Sequence, residues 1–262
     1  MTQFPASSAA RYERSMGRWS RKLAPLFAGF CGPMGPSVLD AGCGTGALSF
    51  DLAERGHTVL GVDLAEAYIA DAAAKTMPGT RFETGDITAL PAPSQSVDAA
   101  LSMLVLHFVP DTAAALAELC RVTRPGGLVA ATVWDSRGGL MFNRLFFDAA
   151  APVSERIAAR RGANYTRPTT RPGELAGALR AAGLADVVES TLVIHMTYSG
   201  FDDYWGGLVE GDGPLGALLA QEDPDAQRRI RDAVAFAYEG GEPDGPRAFA
   251  AVAWAAKGRV PM

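Results

Sequence analysis

The sequence predicts an α/β fold: a doubly wound, mostly parallel seven-stranded sheet with helices on both faces and a helical lid insertion. Three observations carry this. Short segments of β character alternate with helical segments through residues 37 to 134. One of them, SVLDA at Ser37 to Ala41, runs straight into a glycine turn. Another, Val97 to Val105, is apolar nearly throughout, as suits a strand covered on both faces.

After Ser37 to Ala41 comes a helix over Thr45 to Arg55, with Gly56 placed to cap its C-terminus. His57 to Asp63 is the second strand, and alanine-rich Ala65 to Met77 is a helix stopped by Pro78 and Gly79. Thr80 to Ile87 is the third strand and Val97 to Val105 the fourth. Asp111 is placed to cap a helix reaching about Val122, and Pro125-Gly126-Gly127 turns the chain into a fifth strand, Leu128 to Trp134. Residues 135 to 170 read as helical and arginine-bearing, Glu174 to Ala182 as a helix, and Asp186 to Thr197 as a strand. Phe201 to Gly245 reads as an irregular insertion with eleven acidic residues against three arginines. Arg247 to Lys257 closes the chain, read as a strand completing the sheet. One domain over 1–262 is expected: N-terminal cover helices at 1–36, a ligand-binding core at 37–134, and lid insertions at 135–170 and 200–246.

Composition narrows the function. Of 262 residues, 48% are hydrophobic and 20% charged, the balance of an ordinary globular protein. The net charge of −5 gives no bulk attraction to nucleic acid, and only Arg11, Arg14, Arg18, Arg21 and Lys22, facing Glu13, form a basic stretch. No run of 18 apolar residues offers a membrane span, and the first 30 residues lack a basic start, apolar core and small-residue cleavage site, so export is not expected. Cys31, Cys43 and Cys120 are too few and scattered for a disulfide framework or a zinc cluster, so a reducing cytoplasm is the expected compartment. Three dispersed histidines predict no metal site.

The sharpest motif is VLDAGCGTG at residues 38–46. Glycines at alternate positions after a strand let backbone approach a ligand closely, and the following helix aims free N–H groups and its positive dipole end at the same space. Asp63, 21 residues beyond Gly42 at the end of the second strand, is placed to accept from both hydroxyls of an adenosine ribose. Asp63 and Asp86, each taken alone, more often end a strand or cap a turn. Together, after the glycine turn, they favour a nucleotide-like ligand. The glycines read G-x-G-x-G, not the G-x-G-x-x-G of a dinucleotide site.

VLDAGCGTG, VLGVDLAEAYI, TGDITALP, SVDAALSMLVLHFVPD and RVTRPGGLV, in this order and spacing, resemble the motif series of class I S-adenosylmethionine-dependent methyltransferases, with a Rossmann-like fold, and their small-molecule (ubiquinone-pathway-like) branch. The strong likeness covers about residues 37 to 134. It implies S-adenosylmethionine as cofactor, with S-adenosylhomocysteine as product. Asp40, Ala41, Gly42, Cys43, Gly44 and Gly46 match the loop around its methionine part. Asp63 matches the ribose-binding acid and Leu64 the adenine contact. Gly85, Asp86 and Ile87 match the segment that meets the adenine amino group, and Ser102 and Met103 the floor beneath the sulfonium. Arg18 (or Arg11) on the N-terminal segment is a further candidate, toward the cofactor carboxylate.

His107, just past the fourth strand, is the candidate general base for a hydroxyl or amine acceptor, weighed evenly against a role covering a helix start or lining the adenosine pocket. Cys43 is read as a small side chain beside the strand, not a nucleophile. The aromatic groups Met141 to Phe147 and Phe201 to Trp205 are weighed as core or as a lid over an apolar or aromatic small-molecule acceptor. Monomer and homodimer remain open. Two rival readings are a non-catalytic S-adenosylmethionine-binding regulator and an NAD-dependent oxidoreductase; the latter lacks the dinucleotide glycine spacing and a Tyr-x-x-x-Lys pair.

Overall fold

The computed structural model describes residues 8–75, 77–211 and 213–262. Residues 1–7 of the expected N-terminal cover, Thr76 of the second predicted helix and Asp212 of the 200–246 insertion lie outside them. Seven strands form one sheet in the order β3-β2-β1-β4-β5-β7-β6. The strands are β1 (Ser37–Ala41), β2 (Thr58–Asp63), β3 (Thr80–Thr84), β4 (Val97–Met103), β5 (Thr123–Trp134), β6 (Ala185–Tyr198) and β7 (Arg247–Arg259). β1 to β5 run parallel, while β7 pairs antiparallel with both β5 and β6. The predicted fold class is therefore the observed one, and the closing segment is a strand.

The central strands are covered on both faces. Val38, Leu39, Ala99, Ala100, Leu101, Val129 and Ala130 are all fully buried, and such continuous apolar runs belong to the middle of a parallel sheet. The helices that cover the N-terminal half are α1 (Ala9–Tyr12), α2 (Arg18–Cys31), α3 (Ala47–Glu54), α4 (Glu66–Ala74) and α5 (Thr112–Val122), with one π-helical turn at Glu13–Gly17. α2 buries Trp19, Leu23, Ala24, Phe27, Ala28 and Cys31 on one stripe and stops at Gly32, whose φ is 72°. Asp111 caps α5 as predicted, its carboxylate accepting from the Ala114 amide at 2.9 Å.

The Pro125-Gly126-Gly127 turn is present, but inside β5. Between the Val97–Thr123 and Ala99–Leu128 pairs, β4 advances two residues and β5 five, so the turn is extruded as a bulge. Gly126 keeps a φ of 76°, and its amide donates to Val260.

The C-terminal half is helical where residues 135 to 170 predicted it: α6 (Met141–Ala150) and α7 (Glu155–Tyr165), followed by α8 (Glu174–Ala181). The segment read as irregular is not. It holds α9 (Phe201–Val209), α10 (Pro214–Leu219) and the 16-residue α11 (Pro224–Glu239). α11 has clear local causes: Asp223 caps the Ala226 amide, Pro224 occupies the first turn, Ala226, Ile230, Val234 and Tyr238 form one buried stripe, and Gly240 ends it at φ 62°.

α6, α9 and α11 share a core with the sheet. Phe146, Phe147 and Tyr204 are fully buried, and Phe201 and Phe142 nearly so. Tyr198, Phe201, Tyr204, Tyr238 and Phe249 stack on one another at 5.3–6.3 Å, and the Tyr204 hydroxyl donates to the Phe142 carbonyl at 2.6 Å. Of the two segments weighed as core or lid, Phe142, Phe146, Phe147, Phe201 and Tyr204 pack in the domain interior, while Met141 is exposed and Trp205 half-buried. Among the described residues no helix is long and apolar enough to cross a membrane.

Candidate active site

The C-terminal ends of β1, β2 and β4 lie side by side, because β1 is hydrogen-bonded to both β2 and β4. The loops leaving them therefore converge at one edge of the sheet, where ligands of open α/β folds bind. Gly42, Gly44 and Gly46 all have positive φ, at 80°, 55° and 91°. A Cβ on Gly42 would collide with the Val105 side chain and one on Gly46 with the Phe50 ring, so close protein packing as well as backbone shape demands glycine there. The loop amides are largely committed. Gly42 and Cys43 N–H groups donate to the Val62 carbonyl at 2.7 and 3.0 Å, and Gly46 N–H to Cys43.

Asp63 is the organising side chain. Gly44 N–H donates to its Oδ2 at 2.8 Å and Ala65 N–H to its Oδ1 at 2.9 Å, so one carboxylate ties the glycine loop to the entry of α4. Burial raises its pKa above the usual carboxylate value, against the lowering effect of those amides. Next to it Leu64 is 67% exposed, although it is a large apolar residue at the edge of a core. An oriented carboxylate beside a bare apolar face is what a ribose carrying a flat ring would cover. Asp86, also exposed, forms a turn with Thr88: both the amide and the hydroxyl of Thr88 donate to Oδ1 at 2.8 Å, and Oδ2 has no bond among the described residues. Gly85 N–H donates to the Asp63 carbonyl, and Ile87 is buried.

Other candidates turn inward. Asp40 is buried behind the loop, where Ser49 Oγ of α3 donates to its Oδ2 at 2.7 Å while Oδ1 lacks a partner. Burial pushes its pKa up to about 7. It braces β1 against α3 and does not open onto the cleft. Ala41 and Cys43 are buried too, and burial raises the Cys43 thiol well above its ordinary value, which suits a packing role. Ser102 Oγ donates to the Ala41 carbonyl at 3.0 Å, so its hydroxyl knits β4 to β1. Met103 is buried at the strand end.

Arg18 keeps buried Nε and Nη2 without a hydrogen-bond partner among the described residues. It pairs with Asp203 of α9 at 2.8 Å and lies 4.2 Å over the Trp19 ring. Arg11 donates to the Glu210 and Gly211 carbonyls. The N-terminal segment does fold over the glycine loop, through other residues. Tyr12 packs against Tyr68 at 4.8 Å and faces Gly44, and Glu13 accepts from the Thr45 hydroxyl.

His107 sits in a single 3₁₀ turn, Leu106–Phe108, only 7% exposed and stacked on Phe108 at 4.0 Å. Burial, then the nearby Arg167 charge, pushes its pKa down to about 3. A shift in that direction keeps the imidazole neutral at physiological pH. Sequence reasoning missed Leu104, a leucine at φ 65° directly after β4, with its amide donating to Thr132. Such strain in a bulky residue costs roughly 1–3 kcal/mol and clusters at functional sites, but no sequence signal marks it. Among the described residues no three His, Cys, Asp or Glu are grouped to hold a metal.

Residues 39–131 match the family model described as a methyltransferase domain. The match covers the glycine loop, Asp63 and Asp86, and ends within β5. The malonyl-[acyl-carrier protein] O-methyltransferase of Serratia marcescens is 44% identical over 95 residues, 36% of this chain and 37% of that protein. The nocamycin O-methyltransferase of Saccharothrix syringae is 33% identical over 174 residues, 59% of this chain and 61% of that one. The match thus spans less than two thirds of these curated relatives. Among solved structures, phosphoethanolamine N-methyltransferase 2 of Haemonchus contortus, in complex with S-adenosyl-L-methionine, aligns with a TM-score of 0.57 over 97% of this chain and 57% of that one, at 16% identity. That likeness concerns the fold.

Proposed function

We propose that this protein transfers the methyl group of S-adenosylmethionine to a small-molecule acceptor, working mainly by positioning. The observation that carries the reading is Asp63, held by the Gly44 and Ala65 amides beside exposed Leu64. When bound, S-adenosylmethionine supplies an electrophilic methyl on a sulfonium and departs as S-adenosylhomocysteine after in-line displacement. Asp63 would hold the ribose hydroxyls, Leu64 one face of the adenine, and Asp86 Oδ2 its amino group. Tyr12 and Glu13 close the N-terminal segment over the glycine loop and shield it from water. With His107 neutral and buried, rate enhancement rests on alignment and water exclusion, which suits a reaction whose charge disperses in the transition state. The relatives named for malonyl-[acyl-carrier protein] and nocamycin support a small-molecule or acyl acceptor and O-methylation.

Calorimetry tests the cofactor: S-adenosylmethionine and S-adenosylhomocysteine bind, and NADH does not. Tight NADH binding without affinity for the sulfonium nucleotide would overturn the reading. Methyl transfer from labelled cofactor across an acceptor panel then separates an enzyme from a non-catalytic binder.

A further inference from the structure

α7 and the loop after it place unbalanced positive charge over the end of β4. Most arginines here have acid partners: Arg156 pairs with Glu222, Arg144 and Arg161 with Asp148, and Arg171 with Glu174. Arg160 and Arg167 have none among the described residues, and the Arg160 charge acts on Arg167. Arg167 is half-buried with its guanidinium 4.9 Å over the Phe108 ring, close enough to His107 to disfavour protonation there. Loss of water and the like charge of Arg160 bring the Arg167 pKa down to about 10, so it remains a cation at neutral pH.

His107 Nδ1, beside Arg167, and Asn164 Nδ2, on α7, have no hydrogen-bond partner among the described residues, and their residues are 7% and 6% exposed. Asn164 follows Arg160 by one turn on the same face of α7. A buried polar atom left unpaired costs about 1–3 kcal/mol, and two close cations without a counter-ion add repulsion. All four groups can donate a hydrogen bond, the His107 ring as its Nδ1–H tautomer, and none brings negative charge. A cleft further along this face, lined by Asp135, Arg137, Arg144 and Arg171, differs in that Arg144 and Arg171 are already neutralised.

We infer that Arg160, Arg167, His107 and Asn164 form an anion subsite beside the end of β4 that takes a carboxylate of the methyl acceptor. A planar carboxylate matches the guanidinium fork, and it supplies the missing counter-charge and acceptors together. The assignment of this carboxylate to the acceptor rests on the proposed methyl transfer; the binding of a carboxylate does not.

The experiment titrates the protein, free and loaded with S-adenosylhomocysteine, with succinate, benzoate and hexanoate, with the corresponding amides, and with inorganic phosphate. At least one carboxylate is expected to bind, at least tenfold more tightly than its amide. Arg167→Gln should weaken that binding at least tenfold while S-adenosylhomocysteine affinity stays within twofold. Arg161→Gln, whose arginine is paired with Asp148, should leave it unchanged. Arg160→Gln carries the same expectation should Arg167→Gln fail to fold. Binding of no carboxylate, equal binding of the amides, phosphate binding alone, or unchanged carboxylate affinity in the variants each overturns the subsite. A carboxylate that binds to a protein with no affinity for S-adenosylhomocysteine would instead overturn the cofactor reading and leave the subsite standing.

Discussion

Replacing Asp63 by Ala tests the proposed cofactor site and the loop that builds it in one variant. Each Asp63 oxygen already accepts one backbone N–H, at 2.8 and 2.9 Å, and so keeps a free lone pair for one ribose hydroxyl. Hydrogen bonds to a charged acceptor contribute about 1.5–3 kcal/mol each. The site is an open cleft where water partly replaces the lost acceptor, so the lower end applies, and two bonds give about 3 kcal/mol, or roughly a 100-fold rise in Kd. Folding also loses the two amide bonds, at partly buried positions, for about 2 kcal/mol in total. Calorimetry with S-adenosylhomocysteine reads the first number and urea unfolding the second. A folded Asp63→Ala protein whose Kd stays within threefold of the parent would refute the ribose assignment. An unchanged unfolding free energy would show that the carboxylate does not tie the loop to α4.

Three further outcomes follow from the packing. Asp40 has a folded pKa raised to about 7, so the stability it contributes is complete below its unfolded value near 4 and is lost as pH rises through about 7. Against Asp40→Asn, the wild type should lose up to about 4 kcal/mol between pH 4 and 8 in urea unfolding, and a gap independent of pH would contradict the burial argument. Gly42→Ala meets both a left-handed φ, worth roughly 1–2 kcal/mol, and the Val105 side chain, worth about 1–3 kcal/mol. Val105→Ala should relieve only the second, giving a non-additive double-mutant cycle, whereas strict additivity would rule out the collision. Phe146→Ala, in the interior shared by α6 and the sheet, should destabilise by about 3–5 kcal/mol, with residues 141–147 exchanging amide hydrogens as slowly as the central strands; fast exchange would restore a lid.

Much of the fold is local information, and local information is legible in a single chain. Strands β1, β2 and β4 are recognisable because each is short, largely apolar and followed by a turn, and Asp111 caps its helix as its position implies. α11 carried equally local signals, Asp223-Pro224 and an apolar residue every fourth position, yet the density of acidic residues around it masked them. The glycine loop, Asp63 and Asp86 were legible by their order along the chain. Their placement at adjacent strand ends follows from parallel pairing.

The α/β class and the order of the loop residues are legible along the chain, since these depend on periodicity and spacing of the backbone. Tertiary structure alone decided the rest, because burial and partners come from segments remote in sequence. His107 loses its affinity for a proton through burial and through Arg167, sixty residues away. Arg18 is paired with Asp203, most of the aromatic side chains are packed in the core, and Arg160 and Arg167 have no acid partner among the described residues. A side chain's charge state and availability depend on what the fold brings against it, and no periodicity encodes that.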